Sequence, residues 1–411
     1  MSATTTTGGT AAGSASRGAR TATRLADGRE LVYFDDAPLP GEPAPAPHEL
    51  HDPRPLPDRF APVDGTPFQG PRMRRDPLTG DWVPMATHRM NRTLLPPDDA
   101  CPLCPRRPDA DYTDGEVPDT AYDVVVFENR FPSLLSVPGE PTGPHAVVDA
   151  TPDALPGGLW LDAPAAGRCE VVCFSSDHDA SLASLGERRL RTIVDAWADR
   201  TAALGALPTT REVFVFENHG REIGVTLTHP HGQVYAYPYL TPRTERLLAR
   251  AEAHHDATGR SLLRDVLDAE LADGRRVVLE TEHWVAYVPF AARWPVEVHL
   301  APRRDVLDLP GLTDAERDDF AAAYLRVLTA LDRFFVAPDG GVVPLPYIAG
   351  WSQAPARDPR RELGRLRLEV FSVLRGPGKL KYLAGSESGA GAWISDTTPE
   401  RIATRLQEVL A

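Results

Sequence analysis

The chain has 411 residues, 58 acidic against 44 basic side chains, a formal net charge of -14, 42% hydrophobic residues and four cysteines. This balance excludes a broad nucleic-acid surface, because phosphate backbones are held by dense basic patches, although two or three placed arginines suffice for a single nucleotide. No apolar run is long enough for a membrane span and residues 1–24 lack the apolar core of a secretory signal, while so few cysteines fit a reducing, cytoplasmic setting with metal or redox use better than a disulfide framework.

In chain order, residues 1–24 form a Thr/Ala/Gly/Ser tract of low complexity and are expected to be disordered. RELVYFDD (29–36) predicts a short strand, and 37–70 is Pro-rich and extended. VVVFENRF (124–131) and RCEVVCF (168–174) predict strands; between them a Pro/Gly-rich stretch at about 137–167 reads as a surface insertion. A helix is expected over Leu185–Leu207, with Leu190, Ile193, Val194 and Trp197 on one face. REVFVFEN (211–218) and GQVYAY (232–237) return to strand, followed by helices near 243–257 and 260–273. The order then repeats. WVAYVPF (284–290) and PVEVHL (295–300) are strands, Thr313 and Glu316 open a helix with capping-box spacing, and PYIAGW (346–351) and RLRLEVFSV (365–373) are strands. Setting Cys169 on Pro295 and Val213 on Pro346 describes one unit used twice, roughly 125–135 residues apart. The strand matching His229-Pro230-His231 then carries Leu368 and Val370, which places the chemistry in the first half.

Two motifs carry that chemistry. Cys101-Pro102-Leu103-Cys104 can direct two sulfurs to one point, about 2.3 Å from a shared zinc. The pair could also be a redox couple or two buried thiols, although no βαβ pattern follows it. A metal needs two more ligands, for which His178 and His229 are the candidates. Cys169 and Cys173 alternate with Val171 along a strand and read as core thiols, and His48, His51 and His145 lie in Pro-rich coil and are expected to be solvated.

The second motif is His229-Pro230-His231-Gly232-Gln233. In an extended segment residues i and i+2 share a side, and proline fixes the backbone between them. One imidazole can bind metal while the other stays free, and a free imidazole is a good nucleophile toward phosphorus. Gly232 would let a phosphate approach the backbone. Gln233 offers an amide to a phosphoryl oxygen but no proton; a histidine there could act as a general acid and favour hydrolysis.

HPHGQ, preceded by FENHGREIGVTL (216–227), resembles the galactose-1-phosphate uridylyltransferase family, the transferase branch of the histidine-triad superfamily. Further resemblance runs through DPLTGDWVPMATHR (76–89), CPLC (101–104), VVVFENRFPSL (124–134), SSDHDASLASL (175–185), ADGRRVVLETEHWVAYVP (272–289) and GKLKYLAGSE (378–387), covering about 72–411. It implies an α+β fold of two histidine-triad-like halves, each an antiparallel sheet with flanking helices. These span 72–242, with the insertion, and 243–411, after a largely disordered extension over 1–71. It implies His231 as the nucleophile that takes UMP from UDP-glucose and passes it to galactose 1-phosphate, with Gln233 steadying the uridylyl-histidine. Asn218 and Thr226 would hold phosphoryl oxygens, Arg89 and Arg92 the nucleotide phosphates, and Leu103, Phe127 and Asn129 the uridine. One structural zinc would be bound by Cys101, Cys104, His178 and His229. Lys381 and Glu387 would reach the hexose phosphate in the other subunit of a homodimer.

Some positions depart from the family pattern. A second metal site found in some relatives would fall on Leu247, Ser352, Leu368 and Val370, none of them a good ligand, so no second metal is expected. Arg130 replaces an aspartate often found after the uridine-binding asparagine, and Ser386 replaces a tyrosine before the hexose-binding glutamate. A nucleotidyltransferase or phosphorylase using an ADP-sugar, and a catalytically quiet zinc-stabilised binding protein, remain alternatives.

Overall fold

The computed structural model describes residues 18–48, 52, 70–87, 89, 95–106, 115–135 and 159–410. In chain order the elements begin with β1 (Arg20–Arg24), β2 (Glu30–Phe34), β3 (Arg72–Arg75), β4 (Trp82–Met85), β5 (Val124–Glu128), β6 (Leu161–Pro164) and β7 (Arg168–Cys173). Helix α1 (Leu182–Gly205) leads to β8 (Glu212–His219) and β9 (His231–Tyr237). Helices α2 (Pro242–Thr258) and α3 (Leu262–Asp273) precede β10 (Val277–Glu280), β11 (Trp284–Tyr287), β12 (Val296–Pro302) and α4 (Asp314–Asp332). The short β13 (Phe335–Val336) and β14 (Val342–Val343) precede β15 (Tyr347–Ser352), β16 (Arg367–Ser372), β17 (Leu374–Gly376), β18 (Lys379–Leu380) and α5 (Pro399–Leu410). The capping box expected at Thr313 and Glu316 opens α4.

An 11-stranded antiparallel sheet runs β1-β2-β5-β7-β9-β8-β15-β16-β12-β11-β10. Residues alternate across it, so its inner strands bury apolar side chains on both faces. One face, with Val126, Val172, Val234, Val298 and Val370, packs on α1 and α4. Trp351 touches Trp197, Trp284 and Phe320 there, at centroid distances of 6.0, 6.2 and 4.9 Å. Because this cluster joins the two halves, Trp351→Ala would cost roughly 3–5 kcal/mol. On the other face Tyr33, Val125, Phe127, Val171 and Cys173 lie against Cys101, Leu103 and Tyr122. That face carries the site.

About the β8–β15 junction five strands on each side correspond, β8-β9-β7-β5-β2 to β15-β16-β12-β11-β10, and β1 is an extra edge strand. Phe216 pairs with Gly350 across the junction; outward on one side the row continues Gln233, Val171, Phe127, and on the other Glu369, His299, Tyr287. With this pair on the axis the first residues coincide in three of the matching strand pairs: His231 with Arg367, Arg168 with Val296, Val124 with Trp284. The repeat is therefore real, but its register differs from the sequence expectation. Val213 falls on Tyr347, not Pro346, and His229 and His231 fall on Arg365 and Arg367. Leu368 and Val370 point into the helix-side core and match Gly232 and Val234. A run such as Arg365-Leu366-Arg367-Leu368-Glu369-Val370 can be set in either phase by sequence; only burial shows which set faces the helices.

Three further expectations need correction. β1 lies within the tract read as disordered, and pairs with β2 over Arg20–Phe34 to Arg24–Glu30. β6 lies within the span read as an insertion and pairs with β3; residues 136–158 lie outside the described set. His48 is not solvated: it stacks on Tyr33 at 3.9 Å and bonds Asp35 and Asp119 at 2.8 and 2.9 Å. A proline-rich coil need not be exposed when a strand offers it an aromatic face. His51 and His145 lie outside the described residues.

Candidate active site and metal centre

The Cys101–Cys104 turn, His178 just after β7 and His229 just before β9 converge. One donor atom from each lies within 4.8 Å of the others, the only such group of metal-type donors among the described residues. Cys104 Sγ is 3.4 Å from His178 Nδ1 and 3.6 Å from His229 Nδ1. His229 Nε2 donates to the Ser175 carbonyl at 2.8 Å and lies 2.9 Å from the Tyr122 hydroxyl, so Nδ1 keeps its lone pair toward the sulfurs. Tyr122 in turn donates to the Leu103 carbonyl at 2.8 Å, within the Cys101–Cys104 loop. The Cys104 sulfur beside Cys101 holds that thiol well below the ordinary thiol range, with His229 adding to the effect. Two thiolates and two imidazole nitrogens at one point fit a soft divalent ion. Cys169 and Cys173 are core thiols, as expected, and burial pushes both pKa values up.

His231, the first residue of β9, sits one pleat beyond this group. Its Nδ1 donates to the His229 carbonyl at 2.7 Å, so Nε2 is the free nitrogen. Burial lowers its pKa and keeps the ring neutral. It lines a cavity of about 420 Å³ together with Arg89, Leu103, Phe127, Asn129, Thr226 and Gln233, all named from sequence. It also lines a smaller cleft of about 130 Å³ that contains Asn218, next to His229. Asn129 Oδ1 accepts from the Phe131 N–H at 2.8 Å, which fixes its amide. Gly232 has a steric reason independent of any ligand. It faces the core, where a Cβ would lie 2.8 Å from the Phe174 ring and 2.9 Å from the Phe216 carbonyl.

Sequence reasoning missed several neighbours. The Tyr235 hydroxyl donates to Gln233 Oε1 at 3.1 Å and accepts from Arg89 Nη1 at 3.4 Å. This leaves the Gln233 NH2 as the group available to the cavity. Its i+2 spacing from Gln233 on a strand was the available signal. Glu116 and Arg130 line the wall, and Arg29, from the hairpin end of β2, holds Glu116 at 2.7 Å and the Glu128 carbonyl at 2.9 Å. The N-terminal hairpin thus braces the cavity. Arg92 lies outside the described residues. Lys381 and Glu387 do not line the cavity of their own chain; they lie 3.7 Å apart near the C-terminus, where Lys381 also meets Asp396 at 3.4 Å.

An antiparallel sheet with an internal two-fold, a Cys2His2 donor group and a proline-linked imidazole facing a nucleotide-sized cavity define a histidine-triad-like transferase fold. Family models for the N-terminal and C-terminal domains of galactose-1-phosphate uridyl transferase match residues 66–241 and 246–363. A galactose-1-phosphate uridylyltransferase of Streptomyces lividans is 45% identical over 95% of this chain and 98% of its own, and one of Thermotoga maritima is 33% identical over 82% and 98%. A solved uridylyltransferase structure superposes with a TM-score of 0.69 at 34% identity, over 82% of this chain and 98% of that one. The chain belongs to the galactose-1-phosphate uridylyltransferase family of enzymes. Among the described residues no helix is long and apolar enough to cross a membrane.

Proposed function

We propose that this enzyme moves UMP from UDP-glucose to galactose 1-phosphate by a ping-pong route through His231. The carrying observation is the 2.7 Å bond from His231 Nδ1 to the His229 carbonyl, which commits one nitrogen and frees the other for phosphorus. Nε2 attacks the α-phosphorus of UDP-glucose, a P–N bond forms, and the P–O bond to the leaving group breaks. Glucose 1-phosphate departs as an anion. Its phosphate has an ordinary pKa near 6, so no proton donor is needed, and a glutamine at 233 is sufficient. The galactose 1-phosphate phosphate oxygen then attacks the same phosphorus, the P–N bond breaks, and UDP-galactose leaves.

In this reading Gln233 and Asn218 hold phosphoryl oxygens, with Thr226. Arg89 and Arg92 meet the nucleotide phosphates, and Leu103, Phe127 and Asn129 enclose the uridine. Cys101, Cys104, His178 and His229 hold one zinc ion. When bound, the metal fixes His229 and the Cys101–Cys104 loop, and no step of the transfer passes through it. The catalytic half is taken as 72–242 and the degenerate half as 243–411, in a cytoplasmic homodimer whose Lys381 and Glu387 serve the partner's hexose phosphate.

The test is an isolable intermediate. UDP-glucose labelled in the UMP phosphate, without acceptor, should label the protein toward one UMP per site. The bond should be acid-labile and base-stable, and galactose 1-phosphate should discharge it as UDP-galactose. His231→Asn should abolish labelling and keep its metal. Enzyme that turns over without ever carrying UMP refutes the route, and labelling from ADP-glucose in preference refutes the donor.

A further inference from the structure

The two-fold axis that places Phe127, Val171 and Gln233 around the proposed donor cavity places Tyr287, His299 and Glu369 at equivalent points of the second half. A cavity of about 320 Å³ lies there, lined by Tyr287 and His299 and by Arg365 and Arg367, the counterparts of His229 and His231. The second half thus keeps the cleft and exchanges its imidazoles for guanidiniums.

The charge at this cleft is not balanced. Arg243, Arg293, Arg365 and Arg367 all line it. Arg365 meets Asp305 at 2.5 Å; Arg367, at 2.7 Å, and Arg243 share the single carboxylate of Glu369. Arg293 is exposed, lies over the Trp393 ring at 5.6 Å, and has no carboxylate partner among the described residues. The remaining carboxylates of the wall are already engaged. Glu270 pairs with Arg276 at 2.8 Å, and Glu297 bonds His299 at 3.0 Å and the Arg293 N–H at 2.7 Å. Arg367 Nη1 is buried and has no hydrogen-bond partner among the described residues. A buried, unmet N–H of a cation costs more than a neutral one, and phosphate oxygens match guanidinium geometry. At the mouth Phe290 is 73% exposed, an aromatic face offered to a ring.

We propose that this cleft binds a phosphate monoester carried by a ring-bearing metabolite, with the phosphate on Arg367 and Arg293 and the ring against Phe290. It binds without transferring: arginine stays protonated in proteins, so neither Arg365 nor Arg367 can attack phosphorus. The inference stands on the lining of this cleft and does not depend on the chemistry assigned to His231.

Equilibrium dialysis of the full-length holoenzyme with UMP and, separately, glucose 1-phosphate tests it. At least one of the two should show a site that Arg367→Leu weakens tenfold or more. Arg293→Glu, at the exposed rim where folding is not at stake, should weaken the same site by at least as much, and Phe290→Ala should weaken it further for whichever ring is recognised. UMP binding alone identifies a nucleotide-type ligand, glucose 1-phosphate binding alone a sugar phosphate. If the donor reading fails, one site per chain remains and is still lost in Arg293→Glu. The proposal is overturned if neither compound binds at millimolar concentration, or if every site seen survives both arginine variants.

Discussion

The Tyr235 hydroxyl stands between Gln233 Oε1, to which it donates at 3.1 Å, and Arg89 Nη1, from which it accepts at 3.4 Å. Burial raises the Tyr235 pKa, so the phenol stays protonated and remains a donor. One hydroxyl therefore orients both the Gln233 amide and the Arg89 guanidinium, two side chains that line the His231 cavity. Tyr235→Phe leaves the ring packing intact, since the ring meets Phe216 and Tyr237 at 5.2 and 5.9 Å. Loss of one aimed donor costs about 10²–10³ in rate, and loss of the group that aims it should cost less, on the order of tenfold in kcat. Steady-state kinetics should show that fall with KM changed by less than about threefold and with the melting temperature within a few degrees of wild type. An unchanged kcat would remove Tyr235 from the positioning role.

The metal prediction follows from the donor set. With Cys101, Cys104, His178 and His229 the only metal-type group among the described residues, and with arginines at the positions equivalent to His229 and His231, one zinc ion per chain is expected. Cys104→Ser should lose that metal. Stability should fall by several kcal/mol, because site affinity becomes folding free energy. Tyr122→Phe removes the hydroxyl beside His229 Nε2 and should weaken metal binding about tenfold while retaining the ligands. Elemental analysis and competition with a chromogenic chelator measure both. Two ions per chain, or full retention in Cys104→Ser, would contradict the assignment.

His48 gives a pH-dependent term in stability. Burial works against its charged form, but hydrogen bonds and charge from Asp35 and Asp119 outweigh it, so its pKa is raised above the ordinary value. A raised pKa means that the folded state holds the proton more tightly than the unfolded chain. The stabilisation is complete below the unfolded pKa of about 6.5 and is lost as pH rises through the higher folded value. His48→Gln should therefore be less stable than wild type below the unfolded pKa, with a gap that narrows as pH rises through the raised folded value. Thermal melts of both proteins across that range provide the check. A gap that widens with pH would show that His48 is held as the neutral ring.

Much of the site was legible because its signals are local. CPLC, HPHGQ and the alternation of VVVFE and EVFVFEN each lie within a few residues, and such patterns fix sulfur spacing, imidazole spacing and strand faces directly. What escaped depends on contacts between distant segments. Nothing near Tyr122 announces that it will meet His229, 107 residues on. Nothing in ARTATR reveals a strand until β2 offers it an edge. The repeat was visible as an order of elements, but its register was not. Leu368 and Val370 alternate as regularly as Arg365 and Arg367, and which pair faces the helices is decided by Trp351 and its neighbours from both halves.

Lys381 and Glu387 are placed where one chain alone has no use for them in the proposed transfer. Lys381 is buried, lies 3.7 Å from Glu387 and 3.4 Å from Asp396, and neither member of the pair lines the His231 cavity of its own chain. If each pair serves the partner's hexose phosphate, a site consists of His231 from one chain and Lys381 from the other. His231→Asn and Lys381→Ala should each be inactive alone. Co-expressed at equal levels they form hybrids as about half of all dimers, and each hybrid holds one site with both native residues, so about a quarter of wild-type activity should return. Purification through two different tags isolates the hybrid, in which activity should approach half of wild type per dimer. Hybrid dimers without activity, or an active monomer by light scattering, would place the hexose-phosphate residues within a single chain.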